Sequence, residues 1–373
     1  MIYLIAFACA WILTVSLTPL VRKYALDKGI VAQPSGQKSH ALDNRIIPYL
    51  GGLAIFGSFI ITAVLFMPFG RQLAALLTAC TVLAVVGAID DVKRLSAWSR
   101  LGWQFVAACI ALAGGIGITA ITNPFGGMID LTWGRFMVDL GFWQFHITPI
   151  ANLLSILWMM GMVNVINFLD GLDGLASGVS GIAALVIFAL SISPTVDQPL
   201  VALLAIILAG SALGFLPFNF YPARIFMGDS GAYFLGLTLA MLAIYSGGKL
   251  ATAMLVLGFT IIDALWAAMR RIRRGVHPFT ADREHLHHLL LKAGLSQRKA
   301  VLLLYLLAAV FGMVALTLQS FEKMVAMIVL FVSVGVLIAA LIRISNTKAA
   351  RAIEGIAGDI AAIDTKPEEK LKK

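Results

Sequence analysis

The sequence predicts an all-α polytopic membrane protein of about eleven transmembrane helices, with its N-terminus outside and its C-terminus cytoplasmic. Three observations carry that prediction. The chain of 373 residues is 60% hydrophobic and only 13% charged, where a soluble domain carries about 25% charged residues, and its mean hydropathy is +0.93. Eleven apolar stretches approach the roughly 20 residues that a spanning helix needs. If the chain alternates sides between them, 24 of its 28 Lys and Arg fall on one face, which the positive-inside rule makes the cytoplasmic one.

The first stretch, 2–20, has no basic leader and no small-residue cleavage site, so it reads as a retained span. The next three lie at 49–67, 73–89 and 101–121. The segment 122–147 is the only long outer loop, and its Gly126-Gly127 pair between Ile, Phe, Leu and Trp predicts a short β-hairpin there. Further spans follow at 148–168, 175–193, 200–218, 232–245, 250–269, 300–318 and 324–342. From Ser345 the chain turns Ala-, Lys- and Glu-rich. The expected division is therefore a membrane domain over 1–343 and a charged cytoplasmic tail over 344–373. Cys9, Cys80 and Cys109 lie inside apolar runs without metal-like spacing and read as small core residues. The net charge of +9 sits in short loops, which argues for topology and anionic headgroups and against nucleic acid as a partner.

Five unusual stretches fall on the predicted inner face. Lys38-Ser39-His40 precedes Pro48-Tyr49-Leu50-Gly51-Gly52 at the entry to the second span; its glycines admit close backbone approach, to a ligand or equally to another helix. Asp90-Asp91 closes the third span, where two carboxylates face the negative end of the helix dipole. That placement favours a cation or proton-transfer task over a solvated charge cluster. The segment 164–174 holds Asn164, Asn167, Asp170 and Asp173 with no Lys or Arg among them, and ionisable groups at a membrane boundary usually mark a substrate or ion site. Asp229, set between Gly228 and Ser230-Gly231 at a helix start, can hold a hard cation or simply cap the helix. Phe226 could stack on a base, though a lone Phe more often packs. Last, Arg270, Arg271, Arg273 and Arg274 precede Asp282-Arg283-Glu284-His285-Leu286-His287-His288. Histidines beside arginines suit polyphosphate at least as well as a soft metal. One face thus collects Asp90, Asp91, Asp170, Asp173 and Asp229 with Arg and His at its rim, which reads as magnesium-dependent phosphoryl chemistry, since Mg²⁺ prefers a couple of carboxylates plus substrate phosphates.

These motifs, in order from about Lys38 to Gln297, resemble the polyprenyl-phosphate N-acetylhexosamine-1-phosphate transferases, and within them the undecaprenyl-phosphate N-acetylglucosaminyl-1-phosphate transferases. The resemblance rests on Asp90-Asp91, on Asn164-x-x-Asn167-x-x-Asp170-Gly-x-Asp173-Gly, on Phe226-Met-Gly-Asp229-Ser-Gly, and on Pro278-Phe-x-x-Asp282-Arg283-x-His285-x-His287-His288. It implies ten or eleven helices in a bacterial inner membrane with a cytoplasmic active site. It also implies transfer of a sugar 1-phosphate from a UDP-sugar to polyprenyl phosphate with release of UMP, using Mg²⁺, for which Mn²⁺ can substitute. By the same resemblance Asp229 is the main metal ligand, with Asn167 near the metal and diphosphate. Asp90 deprotonates or orients the lipid phosphate beside Asp91, and Asp170 is catalytic or orients its neighbours. Asp173, Asn219 and Phe226 match uridine contacts; Asn164, Arg283, His285, His287 and His288 complete the substrate-binding set. A homodimer is compatible with the sequence.

The histidine motif carries Leu286 within it and Asp282-Arg283 before it, whereas the muramoyl-pentapeptide branch has three consecutive histidines; this favours an N-acetylglucosamine donor over UDP-MurNAc-pentapeptide. A cation-coupled transporter is the alternative from another class. It would place its ionisable residues near the bilayer midplane on broken helices in paired halves, a pattern the chain lacks.

Overall fold

The computed structural model describes residues 1–32, 46–139, 144–246, 250–273, 275 and 285–364, with side chains excepted at 138–139, 144–146 and 345–364. The helices are α1 (Ile2–Asp27), α2 (Gly52–Phe66), α3 (Arg71–Lys93), α4 (Ala97–Ala113), α5 (Pro149–Leu169), α6 (Leu175–Ser191), α7 (Pro199–Asn219), α8 (Gly228–Tyr245), α9 (Leu250–Val256), α10 (Gly258–Arg273), α11 (Leu286–Lys292), α12 (Gln297–Thr317) and α13 (Ser320–Asp364). Four short strands, β1 (Ala120–Thr122), β2 (Met128–Asp130), β3 (Phe136–Asp139) and β4 (Gln144–Ile147), lie between α4 and α5. They form two antiparallel pairs, with Ile121 opposite Ile129 and Met137 opposite His146.

Among the described residues, six helices are long and apolar enough to cross a membrane: α1, α3, α5, α7, α12 and the first part of α13. The pair α9 and α10 makes a seventh if counted as one span, and α2 and α6 are apolar but shorter. The protein is therefore multi-pass. Six or seven such helices are fewer than the eleven spans the sequence suggests, and two of the expected stretches end or break early. The stretch 101–121 stops at Ala113, where Gly115 N–H donates to Leu112 O at 2.8 Å and Ile116 N–H to Ala111 O at 2.9 Å, a Schellman closure that ends the helix. The stretch 250–269 is broken at Leu257 and bent by 78°. Gly258, packed against the Leu330 side chain of α13, marks the break. The backbone of α13 continues unbroken through the boundary expected at 343.

Helix α8 is the axis of the molecule. Every residue from Ser230 to Ile244 is buried, and α2, α3 and α5 pack around it. Helix α7 is enclosed in the same way by α1 and α6. The peripheral helices instead expose large apolar side chains, such as Leu4 at 73% and Val336 at 63%, as a surface in contact with lipid requires. With no hydrophobic drive between helices in lipid, small residues set how closely they approach. A Cβ on Gly52 would lie 2.2 Å from Gly231 Cα, so α2 crosses α8 backbone to backbone. That crossing fixes the segment before α8: Gly51 N–H donates to Phe226 O at 3.0 Å, Gly52 N–H to Met227 O at 2.8 Å, and Phe226 N–H to Pro48 O at 2.8 Å.

Candidate active site

The C-terminal ends of α3 and α5 meet the N-terminal end of α8. Met227, the N-cap position of α8, supplies no side-chain cap, so the first N–H groups of the most buried helix need acceptors from elsewhere. Asp91 provides them: its carboxylate accepts Asp229 N–H at 2.8 Å, Ser230 N–H at 3.3 Å and Ser230 Oγ–H at 3.1 Å. Gly228, at φ +75, leaves the room; a Cβ there would lie 2.4 Å from Asp91 Oδ2. This explains the poor fit of Asp91 to its own helix dipole, since it sits instead at the positive end of α8.

Asp90 turns the other way and is buried. Its carboxylate accepts Tyr233 O–H at 2.7 Å and Leu95 N–H at 2.7 Å, and Arg100 Nε stands 3.8 Å away. Both carboxylates therefore hold α8, Asp91 at the N–H groups of its first turn and Asp90 at the Tyr233 hydroxyl one turn on. Asp229 follows on α8, partly exposed, and its Oδ1 accepts Asn167 Nδ2–H at 2.7 Å. One turn earlier on α5, Asn164 Nδ2 donates to Gln104 Oε1 at 2.8 Å and to Met160 O at 2.7 Å. The helical spacing read from Asn164, Asn167 and Asp170 ends at Asp170, which caps α5.

The loop after α5 is sewn to the loop after α7. Asn219 is buried; its Oδ1 accepts Gly174 N–H at 3.0 Å and Ser177 Oγ–H at 3.2 Å, while its Nδ2 donates to Ile225 O at 3.0 Å. Asp173 accepts Ala223 N–H at 3.0 Å, and Tyr305 of α12 donates to Gly174 O. These bonds order the 170–177 and 219–226 segments against one another. The Phe226 ring is partly exposed beside Tyr49, with centroids 5.6 Å apart.

The histidines stack on the same loop. His285 lies between Phe168, 5.6 Å away at 25°, and His287, 5.8 Å away at 2°. His287 in turn is tilted against His288 at 4.4 Å. The His287 ring covers Gly171, where a Cβ would lie 2.2 Å from Nε2. His285 Nδ1 is 2.9 Å from Asp263 Oδ2 on α10. Arg283, together with Lys38, His40, Pro278 and Asp282, lies outside the described residues.

Thus Asp90, Asp91, Asn167 and Asp229 converge at one junction; Asp170, Asp173, Asn219, His285 and His287 gather around the adjoining loop. Sequence reasoning passed over Arg100, Tyr233, Gln104 and Asp263. Arg100 counted only as a topology charge. Asp263, a lone carboxylate within an apolar stretch, was the available signal for a buried acidic position besides Asp90. Among the described residues no group of three or more His, Cys, Asp or Glu could hold a metal ion by itself. A Mg²⁺ site asks for less, because one or two carboxylates suffice when waters and substrate phosphates complete the octahedron. Asp229, partly exposed and oriented by Asn167, fits that demand.

Residues 73–247 match the profile described as glycosyl transferase family 4. The chain is 33% identical over 88% of its length, and 88% of the relative's, to a Bacillus subtilis (strain 168) protein named "Probable undecaprenyl-phosphate N-acetylglucosaminyl 1-phosphate transferase". It is 32% identical to the Mycobacterium leprae (strain TN) decaprenyl-phosphate N-acetylglucosaminephosphotransferase, over 80% and 79% of the two chains. The Salmonella typhi undecaprenyl-phosphate alpha-N-acetylglucosaminyl 1-phosphate transferase is 27% identical, also over 80% and 79%.

Proposed function

The chain belongs to glycosyl transferase family 4, and from that premise we propose that it transfers N-acetylglucosamine 1-phosphate from UDP-N-acetylglucosamine to undecaprenyl phosphate or another polyprenyl phosphate. UMP leaves, and the reaction runs at the cytoplasmic face of a bacterial inner membrane. The observation that carries the reading is the convergence of Asp90, Asp91, Asn167 and Asp229 from three helix ends, inside the segment that the family profile matches.

Asp229 would hold Mg²⁺, with Asn167 fixing the carboxylate's orientation. When bound, the cation neutralises the donor diphosphate as the lipid phosphate approaches it, a repulsion that otherwise dominates the barrier. Arg100, whose side chain is 37% exposed beside Asp90, adds a second positive charge at that junction. Asp90, held by Tyr233 and Leu95, orients the lipid phosphate. Phe226 and Tyr49 offer ring faces for a base, with Asp173 and Asn219 holding the loop beneath them. The stacked His285 and His287, with His288, bind the donor's diphosphate and sugar. Placing the reacting groups at helix ends lets a bilayer-borne acceptor and a water-borne donor meet in fixed geometry.

Purified protein given polyprenyl phosphate and a panel of UDP-sugars tests this. UMP should appear with UDP-N-acetylglucosamine, cease on chelation and return with Mg²⁺ or Mn²⁺. Release only with UDP-MurNAc-pentapeptide would overturn the donor, and chelator-resistant release would overturn the metal.

A further inference from the structure

Asp263 lies on α10, beyond the 78° bend that breaks the expected span. It is buried at 7% exposure, in a part of the chain where an ionised group is expensive. Both of its oxygens point at one motif. Oδ1 accepts Leu286 N–H at 2.8 Å, and Oδ2 lies 2.9 Å from His285 Nδ1. A helix cap alone needs only the first of these bonds. Anchoring of α11 is already supplied by Leu286, Leu289 and Leu290, each at 3% exposure or less. What the second bond adds is orientation. A carboxylate can only accept, so Nδ1 carries the hydrogen and the tautomer of the ring is set by its partner. The ring plane is then held between Phe168 and His287, the latter seated over Gly171.

We infer that Asp263 is a positioning residue of the active site, fixing the tautomer and plane of His285 so that the stacked histidines meet the donor's diphosphate in one geometry. It acts through His285 and touches no substrate. This rests on the reading of His285 as a substrate-binding group.

The test is a double-mutant cycle on UMP release, with thermal midpoints measured in parallel. Asp263→Asn keeps an acceptor for Leu286 N–H but can present an N–H to Nδ1 in place of the acceptor. It should lower kcat about 10- to 100-fold, the range seen when a group that orients a functional side chain is lost, with a thermal midpoint close to the parent. His285→Ala should lower activity at least as far, and adding Asp263→Asn to it should change kcat by less than about twofold. Should Asp263→Asn fold poorly, Asp263→Glu carries the same test: it retains a carboxylate, and it should lose kcat in the parent but not in the His285→Ala background. Parent-like kcat in the Asp263 variants, or losses that multiply in full with His285→Ala, would overturn the inference alone. Full activity of His285→Ala would overturn the reading of the histidines as well.

Discussion

Asp91 and Asp263 do the same physical job in two regions and were unequally visible beforehand. Each is a carboxylate on one helix that accepts N–H groups at the start of another, α8 for Asp91 and α11 for Asp263. Each thereby sets the first turn of a functional motif, Gly228-Asp229-Ser230 in one case and His285-Leu286-His287 in the other. They differ in what the remaining bonds reach. Asp91 gives the α8 start three bonds, accepting two N–H groups and the Ser230 hydroxyl. Asp263 divides its oxygens between a backbone N–H and an imidazole. The first thus fixes the start of the helix that carries Asp229, and the second joins a helix start to the ring of His285.

The contrast can be broken or sharpened by substitution. The largest expected effect lies between the two regions, at Asp229: Asp229→Ala should cut Mg²⁺-dependent UMP release by roughly 100- to 1,000-fold, the scale of losing a charge-stabilising group, while the thermal midpoint stays near the parent's. An Asp229→Ala protein with full activity would remove the metal assignment. Asp91→Ala should behave differently, with the thermal midpoint falling because α8 loses its cap, a cost of about 1–3 kcal/mol. Asp91→Asn, which still accepts N–H bonds, should recover part of that stability. If both Asp91 variants were as stable as the parent and merely inactive, Asp91 would not be the cap of α8. Gly228→Ala attacks the same junction from the other side. With φ at +75 and the Asp91 carboxylate in the way, it should destabilise by about 1–3 kcal/mol, seen as a lower midpoint in detergent. The smallest effect should come from Tyr233→Phe, which removes one bond to Asp90. About 1 kcal/mol of stability and a modest drop in kcat are expected, and a complete loss of activity would mean that the Tyr233 hydroxyl itself takes part in the chemistry.

Much of the candidate site was legible because its residues are chemically out of place. Carboxylates and amides at the edges of apolar runs, as at Asp90-Asp91, 164–174 and Asp229, stand out against a lipid-facing composition. Asp263 and Tyr233 did not stand out. One is a single carboxylate inside a span with no motif around it, and the other is an amphipathic ring that a helix of this kind accommodates without comment. Their roles depend on partners 22 and 143 positions away in the chain, a separation no local pattern encodes. From sequence alone the double Asp reads as a cation or proton site. That both carboxylates hold α8, one at its N-terminus and one at Tyr233, became visible only when the two helices were placed together.

By itself the sequence determined that this is a multi-pass helical membrane protein, because apolar runs of spanning length allow nothing else once backbone polar groups must be satisfied within the bilayer. It also determined the sugar-phosphate transferase family, through polar motifs that lipid would otherwise reject. The tertiary structure decided where spans end or break, at Ala113 and Leu257, and which acid caps which helix. It also decided which histidine is held by which carboxylate. Those outcomes follow from close packing, in which Gly52 against Gly231 or Gly258 against Leu330 settles the approach of two helices to within an ångström.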